Sequence, residues 1–401
     1  MALLRGLLYR RRRLAGSQPA VRQLPTFGGP QPHFPAPRGH CLDRHRCLWP
    51  RPPGRSVCGR HHPLLTVARM GFLRNDAGDI LPPFGGERFP WIGGDLQTIR
   101  HYLRQDAPVP DVGEEVLIEL ADGDRLLAAF HPATGTRSKG CVIAVHGLNG
   151  CMDAQHIWWL VPEVLAAGYS LLRVNMRGAG PARPLARKTY NACAGGDLIP
   201  FVDEAASRDP GAPLFMMAHS LGGTAALNMV LDFPAAAARL AGIVTIGTPL
   251  DMVATSRRFS RLRNLAYGRH MLSALKQLAG DAPDIREDTL AAAQSARSIT
   301  EFDELVTAPM AGYGGADEYY RAASVDRRLQ QIAVPVLVLQ GSNDPWVPVP
   351  PCLSQPVPRD PLTGISVVVT RGGGHVGFHD SRLNWHIRAT LAWCDAVAEA
   401  G

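Results

Sequence analysis

The chain has 401 residues, 46% of them hydrophobic and 19% charged, enough apolar side chain to bury a sizeable core. It holds no run of eighteen apolar residues, which argues against a transmembrane helix; its eight cysteines are too few in a chain this long for a disulfide scaffold and form no CxxC pair, which argues against a zinc ribbon and leaves free thiols in a reducing cytoplasm as the simplest reading. The net charge of +7 is uneven: residues 1–69 carry thirteen arginines and one acid, Asp43, whereas the remainder carries 29 basic and 34 acidic residues, so the basic pI gives no reason to expect nucleic acid on the body.

In chain order, residues 1–69 come first, with ten prolines and five histidines and little periodicity. Such a segment cannot bury enough surface to offset its ordering entropy and is expected to be disordered. Three readings stand for it: a disordered tail, an arginine-rich organellar transit peptide, or translated sequence upstream of a true start at Met70. Its histidines and cysteines match no zinc spacing.

From residue 114 onward the pattern alternates. Residues 116–120 and 125–130 are apolar runs joined by Ala121-Asp122-Gly123-Asp124, a hairpin signal. Strands are expected at 140–145, 169–174, 213–218, 242–246, 334–340 and 365–370, and helices at 156–167, 197–207, 221–232 and 383–398. Residues 251–325 break the rhythm with helical stretches at 261–278 and 288–295 and no strand-like run. Alternating apolar strands and helices mean a mostly parallel twisted sheet covered on both faces. A leading hairpin and a helical insertion after the sixth expected strand fit an α/β-hydrolase, with a core of 70–250 and 326–401 and a helical cap at 251–325.

The chemistry lies where strands end. Ala218-His219-Ser220-Leu221-Gly222-Gly223 sits at a strand-to-helix turn, the setting a nucleophile elbow needs to lift a serine hydroxyl above the sheet. The plainer alternative is that Ser220 only caps the following helix. His146-Gly147-Leu148-Asn149-Gly150 follows the third expected strand. Backbone N–H groups of Leu148 and Leu221 are the candidate oxyanion donors, each able to supply about 3–4 kcal/mol to a developing negative charge. His146 comes too early in chain order to be the base and reads as a loop-holding residue. His375, after Gly372-Gly373-Gly374, is the candidate base, with His379, His386 and His219 as competitors. Asp344 in Gly341-Ser342-Asn343-Asp344-Pro345 is the candidate orienting acid, and Asp251 the alternative.

These residues resemble the YheT-like branch of the α/β-hydrolases, which also includes EMB-eight-like plant proteins and several animal ABHD lipases. Pro90-Trp91-Ile92-Gly93-Gly94-Asp95-Leu96-Gln97-Thr98 is similar to the family's LPGPHLQT, His146 to Gly150 to its HGLEG, and Asn175-Met176-Arg177-Gly178 to its NxRG. Thr300-Glu301-Phe302-Asp303, Thr307-Ala308-Pro309 and Tyr319-Tyr320-Arg321 are similar to its REFD, TAP and YYR, the most specific of the four stretches. The chain departs from the family at Tyr190-Asn191-Ala192-Cys193, where YHSG is common. The resemblance spans residues 85–400 and implies serine-dependent hydrolysis of short- to medium-chain acyl esters or lipids with triad Ser220, Asp344 and His375. Acyl transfer to alcohols, and a catalytically silent binding protein on the same fold, are the alternatives.

Ala266, Met271, Leu272, Leu275 and Leu278 are candidates either to line the acyl site or to bury the cap helices. Arg257, Arg258, Arg261, Arg263, Arg269 and Lys276 make the cap basic: a solvated face, or a surface for an anionic substrate or membrane. The chemistry requires no metal or cofactor, and no P-loop is present.

Overall fold

The computed structural model describes residues 71–104, 113–135 and 137–401; the leader expectations for 1–69 lie outside the described residues. Among the described residues there are nine strands: β1 (Phe72–Asn75), β2 (Glu114–Glu119), β3 (Arg125–His131), β4 (Cys141–Val145), β5 (Ser170–Asn175), β6 (Leu214–His219), β7 (Gly242–Ile246), β8 (Val336–Gly341) and β9 (Ile365–Thr370). They form one sheet in the order β1-β9-β8-β7-β6-β4-β5-β3-β2. β4 to β9 are parallel to one another and buried on both faces, which is why they read as continuous apolar runs. The β2–β3 hairpin turns at Gly123, whose φ of 86° suits the glycine of the Asp-Gly pair, and β3 joins β5 antiparallel. The fold is the α/β-hydrolase type expected, a mostly parallel sheet with helices on both faces.

The sequence reading lacks β1. Phe-Leu-Arg-Asn has no apolar run; its strand conformation comes from antiparallel pairing with β9, nearly 300 residues away. The insertion therefore follows the seventh strand, not the sixth. The expected helix at 156–167 is two pieces, Gln155–Trp158 and Leu160–Ala166, before Gly168 at φ 88°. The last helix opens at Trp385, because Leu383 and Asn384 are left-handed.

The helices that matter for the site are α1 (Gly94–Leu103), α2 (Leu221–Asp232), α3 (Met252–Phe259), α4 (Leu265–Gly280), α5 (Glu287–Ser295), α6 (Ala316–Ala323) and α7 (Trp385–Ala400). α3 to α6 lie between β7 and β8, joined by a short helix, Ile299–Phe302, and a π-turn, Asp303–Thr307. Leu272, Leu275, Ala293, Phe302 and Val306 give this insertion its own small core. The sheet's two faces carry two larger cores, one of them sealed by Trp385 and Trp393 of α7.

Candidate active site

Parallel strands bring their carboxyl ends to one edge, so the residues just past β4, β6, β8 and β9 meet there. Ser220 stands between β6 and α2 at φ 51°, ψ −125°, a left-handed backbone that a non-glycine residue holds only when its surroundings impose it. Its amide donates to the carbonyl of Ile246 at 2.8 Å, and its hydroxyl makes no capping bond to α2. The turn needs small neighbours: a Cβ on Gly147 would sit 2.8 Å from Ser220 Cβ, and one on Gly222 would sit 2.1 Å from the carbonyl oxygen of His146.

His375 Nε2 lies 2.9 Å from Ser220 Oγ, and its Nδ1 lies 2.8 Å from Asp344 Oδ2. The Asp344 carboxylate is fully buried and saturated. Oδ1 accepts from the amides of Trp346 at 2.8 Å and Val347 at 2.9 Å, and Oδ2 accepts from Gln340 Nε2 at 3.1 Å. The Trp346 ring packs on the imidazole with centroids 4.4 Å apart. Asp251 is engaged elsewhere: it caps α3, accepting from Ala254 N at 2.8 Å.

The loop bearing His375 is held by residues that sequence reasoning missed. Thr98 Oγ1 accepts from the His375 amide at 2.9 Å, Glu87 Oε1 from the Gly373 amide at 2.9 Å and Asn343 Oδ1 from the Gly374 amide at 2.9 Å. Gly374 at φ 57° passes so close to α1 that a Cβ would lie 2.5 Å from the Gly94 carbonyl. Thr98 ends the stretch similar to LPGPHLQT, the one signal that pointed here.

Leu148 and Leu221 both border the site, and neither amide has an acceptor among the described residues. His146 holds the Leu148 loop: Nε2 accepts from the Met176 amide at 3.0 Å, and Nδ1 lies 2.8 Å from the Gly147 carbonyl. Burial lowers its pKa to about 4, so the ring is neutral. Tyr190 Oη, from the departing Tyr190–Cys193 stretch, accepts from the Asn149 amide at 2.8 Å and braces the same loop. Arg177 of the NxRG-like loop is structural, pairing with Asp197, Asp122 and Asp124.

The competing histidines form a separate group behind Ser220. His101 packs on His379 (centroids 4.6 Å apart) and on His156 (6.5 Å), His156 on His219 (5.1 Å), and His219 on His386 (6.0 Å). Both ring nitrogens of His101, His379 and His386, and Nε2 of His219, are buried with no partner among the described residues. Burial holds all five pKa values down, to about 3 for His101, about 2 for His379 and about 4 for His219. Among the described residues no three His, Cys, Asp or Glu side chains are arranged to hold a metal ion.

A cavity of about 600 Å³ opens between Ser220, His375 and the insertion. Met271, Leu275 and Leu278 line it; Leu272 is buried in the insertion's own core and Ala266 is exposed. The insertion also grips the Asp344 loop. Arg258 Nη2 donates to the Asp344 carbonyl at 2.7 Å and its Nε to the Pro345 carbonyl at 3.2 Å, and Asn264 Nδ2 donates to the same Pro345 oxygen at 3.0 Å. Arg263 pairs with Asp95 at 2.8 Å and Lys276 bonds the Gln294 carbonyl at 2.7 Å, while Arg257, Arg261 and Arg269 are exposed. Among the described residues no helix is long and apolar enough to cross a membrane.

The family model described as serine aminopeptidase, S33 (Hydrolase_4) matches residues 136–375, ending on the candidate base. Phospholipase ABHD3 of Mus musculus is 26% identical over 299 residues, covering 72% of this chain and 71% of that protein. Putative esterase YheT of Escherichia coli (strain K12) is 28% identical over 271 residues, 65% of this chain and 77% of that protein. Monoacylglycerol lipase of Saccharomyces cerevisiae is 26% identical over 255 residues, 61% of this chain and 56% of that protein. These relatives are consistent with the YheT-like and ABHD branch.

Proposed function

This chain belongs to the Hydrolase_4 family, serine aminopeptidase S33, and from that premise we propose that it hydrolyses acyl esters or lipids through a Ser220–His375–Asp344 triad and an acyl-enzyme. It is a serine hydrolase of the carboxylesterase/lipase kind. One observation carries the finer reading: an unbroken hydrogen-bonded path runs from Ser220 Oγ through both nitrogens of His375 to a saturated, buried carboxylate. The names of the relatives, an esterase and two lipases, support ester over peptide bonds.

The steps follow from that path. Ser220 Oγ attacks the ester carbonyl carbon as its proton passes to His375 Nε2, and Asp344 steadies the resulting imidazolium through Nδ1–H. The carbonyl oxygen becomes an oxyanion, received by the amides of Leu148 and Leu221. Collapse expels the alcohol, which takes the proton from Nε2. Water then attacks the acyl carbon as it gives a proton to Nε2; the bond from the acyl carbon to Ser220 Oγ breaks, Oγ takes that proton back from Nε2, and the acid leaves. Residues 251–325 act as the cap over a core of 70–250 and 326–401, and the cavity beneath them takes the acyl chain.

Replacing Ser220 with Ala tests the reading. The variant is expected to fold as the wild type does and to lose hydrolysis of p-nitrophenyl butyrate; turnover near the wild-type rate would remove the proposal.

A further inference from the structure

The cavity is not uniformly apolar. Ser256, Thr300, Asp303, Thr307 and Tyr320, from α3, the π-turn with the short helix before it, and α6, all face it. Tyr320 Oη donates to Asp303 Oδ2 at 2.6 Å, and Ser256 Oγ and Thr300 Oγ1 lie 3.2 Å apart. Asp303 opens the π-turn, a wider helical turn that recurs at functional sites. The next residue, Glu304, turns away to accept from the Ala316 amide at 2.6 Å, so the turn separates one acid that serves the backbone from one that faces the cavity.

Among the described residues no cation pairs with Asp303. Burial, the largest influence, raises its carboxyl to about 6 despite hydrogen bonds from Tyr320 and Thr307. A buried carboxyl without a counter-charge costs stability, and a further hydrogen-bond donor from a ligand would offset part of that cost. A cationic ligand group is disfavoured, because the cavity's lining carries seven basic side chains against two acidic ones. A neutral donor fits: a hydroxyl gives a hydrogen bond to a charged acceptor without adding positive charge.

We propose that Asp303, held by Tyr320, is a second binding point in the cavity that accepts a hydrogen bond from a hydroxyl on the substrate, selecting hydroxyl-bearing esters over plain alkyl ones. The proposal rests on the ester-hydrolase reading and names the substrate class within it.

Two substrate pairs test it: p-nitrophenyl hexanoate against p-nitrophenyl 6-hydroxyhexanoate for the acyl side, and propyl against 2,3-dihydroxypropyl hexanoate for the alcohol side. The wild type is expected to prefer the hydroxylated member of at least one pair by about tenfold or more in kcat/KM, the size of a hydrogen bond to a charged group. Asp303→Ala is expected to bring that ratio to about one. A general distortion of the cavity changes both members of a pair together and leaves the ratio. Should Asp303→Ala not fold, the near-isosteric Asp303→Asn carries the test, with the ratio falling a few-fold because a neutral amide oxygen accepts more weakly. A wild-type ratio near one in both pairs, or a preference unchanged in the variant, overturns the proposal. Absence of turnover with all four esters overturns the ester-hydrolase reading itself, a different failure.

Discussion

His375 and the five histidines behind Ser220 are the same side chain in two environments. His375 has a partner at each nitrogen, a carboxylate on one side and a hydroxyl on the other. His101, His156, His219, His379 and His386 face mainly one another, and seven of their ring nitrogens have no partner among the described residues. The first arrangement satisfies both ring nitrogens. The second penalises an imidazole for gaining a proton, through burial and through neighbours that would repel a second charge. An imidazole's role is set by what it touches, and proximity to the serine is not enough.

Removing the partnered ring should have the largest effect. His375→Ala is expected to lower kcat for an activated ester by about 10⁴-fold or more, as the loss of one member of a unit does, with acid stability little changed. Stopped-time assays beside urea melts at pH 7 and pH 5 read both quantities.

Acid should expose the other group. Its folded pKa values lie below the unfolded value of about 6.5, so below that pH the unfolded chain binds more protons than the folded one. Stability is therefore full above about pH 6.5 and falls as pH drops toward about 4, each histidine adding at most about 1.4 kcal/mol per pH unit. His386→Leu removes one such ring and its two orphan nitrogens. Urea melts are expected to show the variant as stable as the wild type at pH 7 or up to about 1 kcal/mol more so, with the gain widening at pH 5. A wild type equally stable at both pH values would break the contrast.

The smallest effect should come from Arg258, which acts on the His375 side only. Arg258→Ala is expected to lower kcat about tenfold with little change in KM, because the Asp344 and Pro345 carbonyls lose the donor that holds their loop. An unchanged kcat with a lowered melting temperature would assign it to packing alone.

The parts legible in sequence are those whose cause is local. Apolar runs at β4 to β9 gave the sheet, and glycines beside Ser220 and before His375 gave the turns that strand ends require. β1 stayed hidden because its conformation depends on β9. Thr98, Glu87 and Asn343 stayed hidden because each acts on a loop that only the fold brings near. His219, His379 and His386 could be weighed singly as bases, but their stacking with His101 and His156 joins four distant stretches of chain. Asp303 lay within a recognisable motif, and only the π-turn distinguishes it from Glu304.

The grip of Arg258 and Asn264 on the carbonyls of Asp344 and Pro345 ties two jobs to one set of supports. On the proposed mechanism, the helices that shape the cavity also steady the acid that orients the base. Diversification of residues 251–325 to admit bulkier molecules would therefore retune turnover at the same time, and a variant library in this region should show scope and speed drifting together unless positions 258 and 264 are kept fixed.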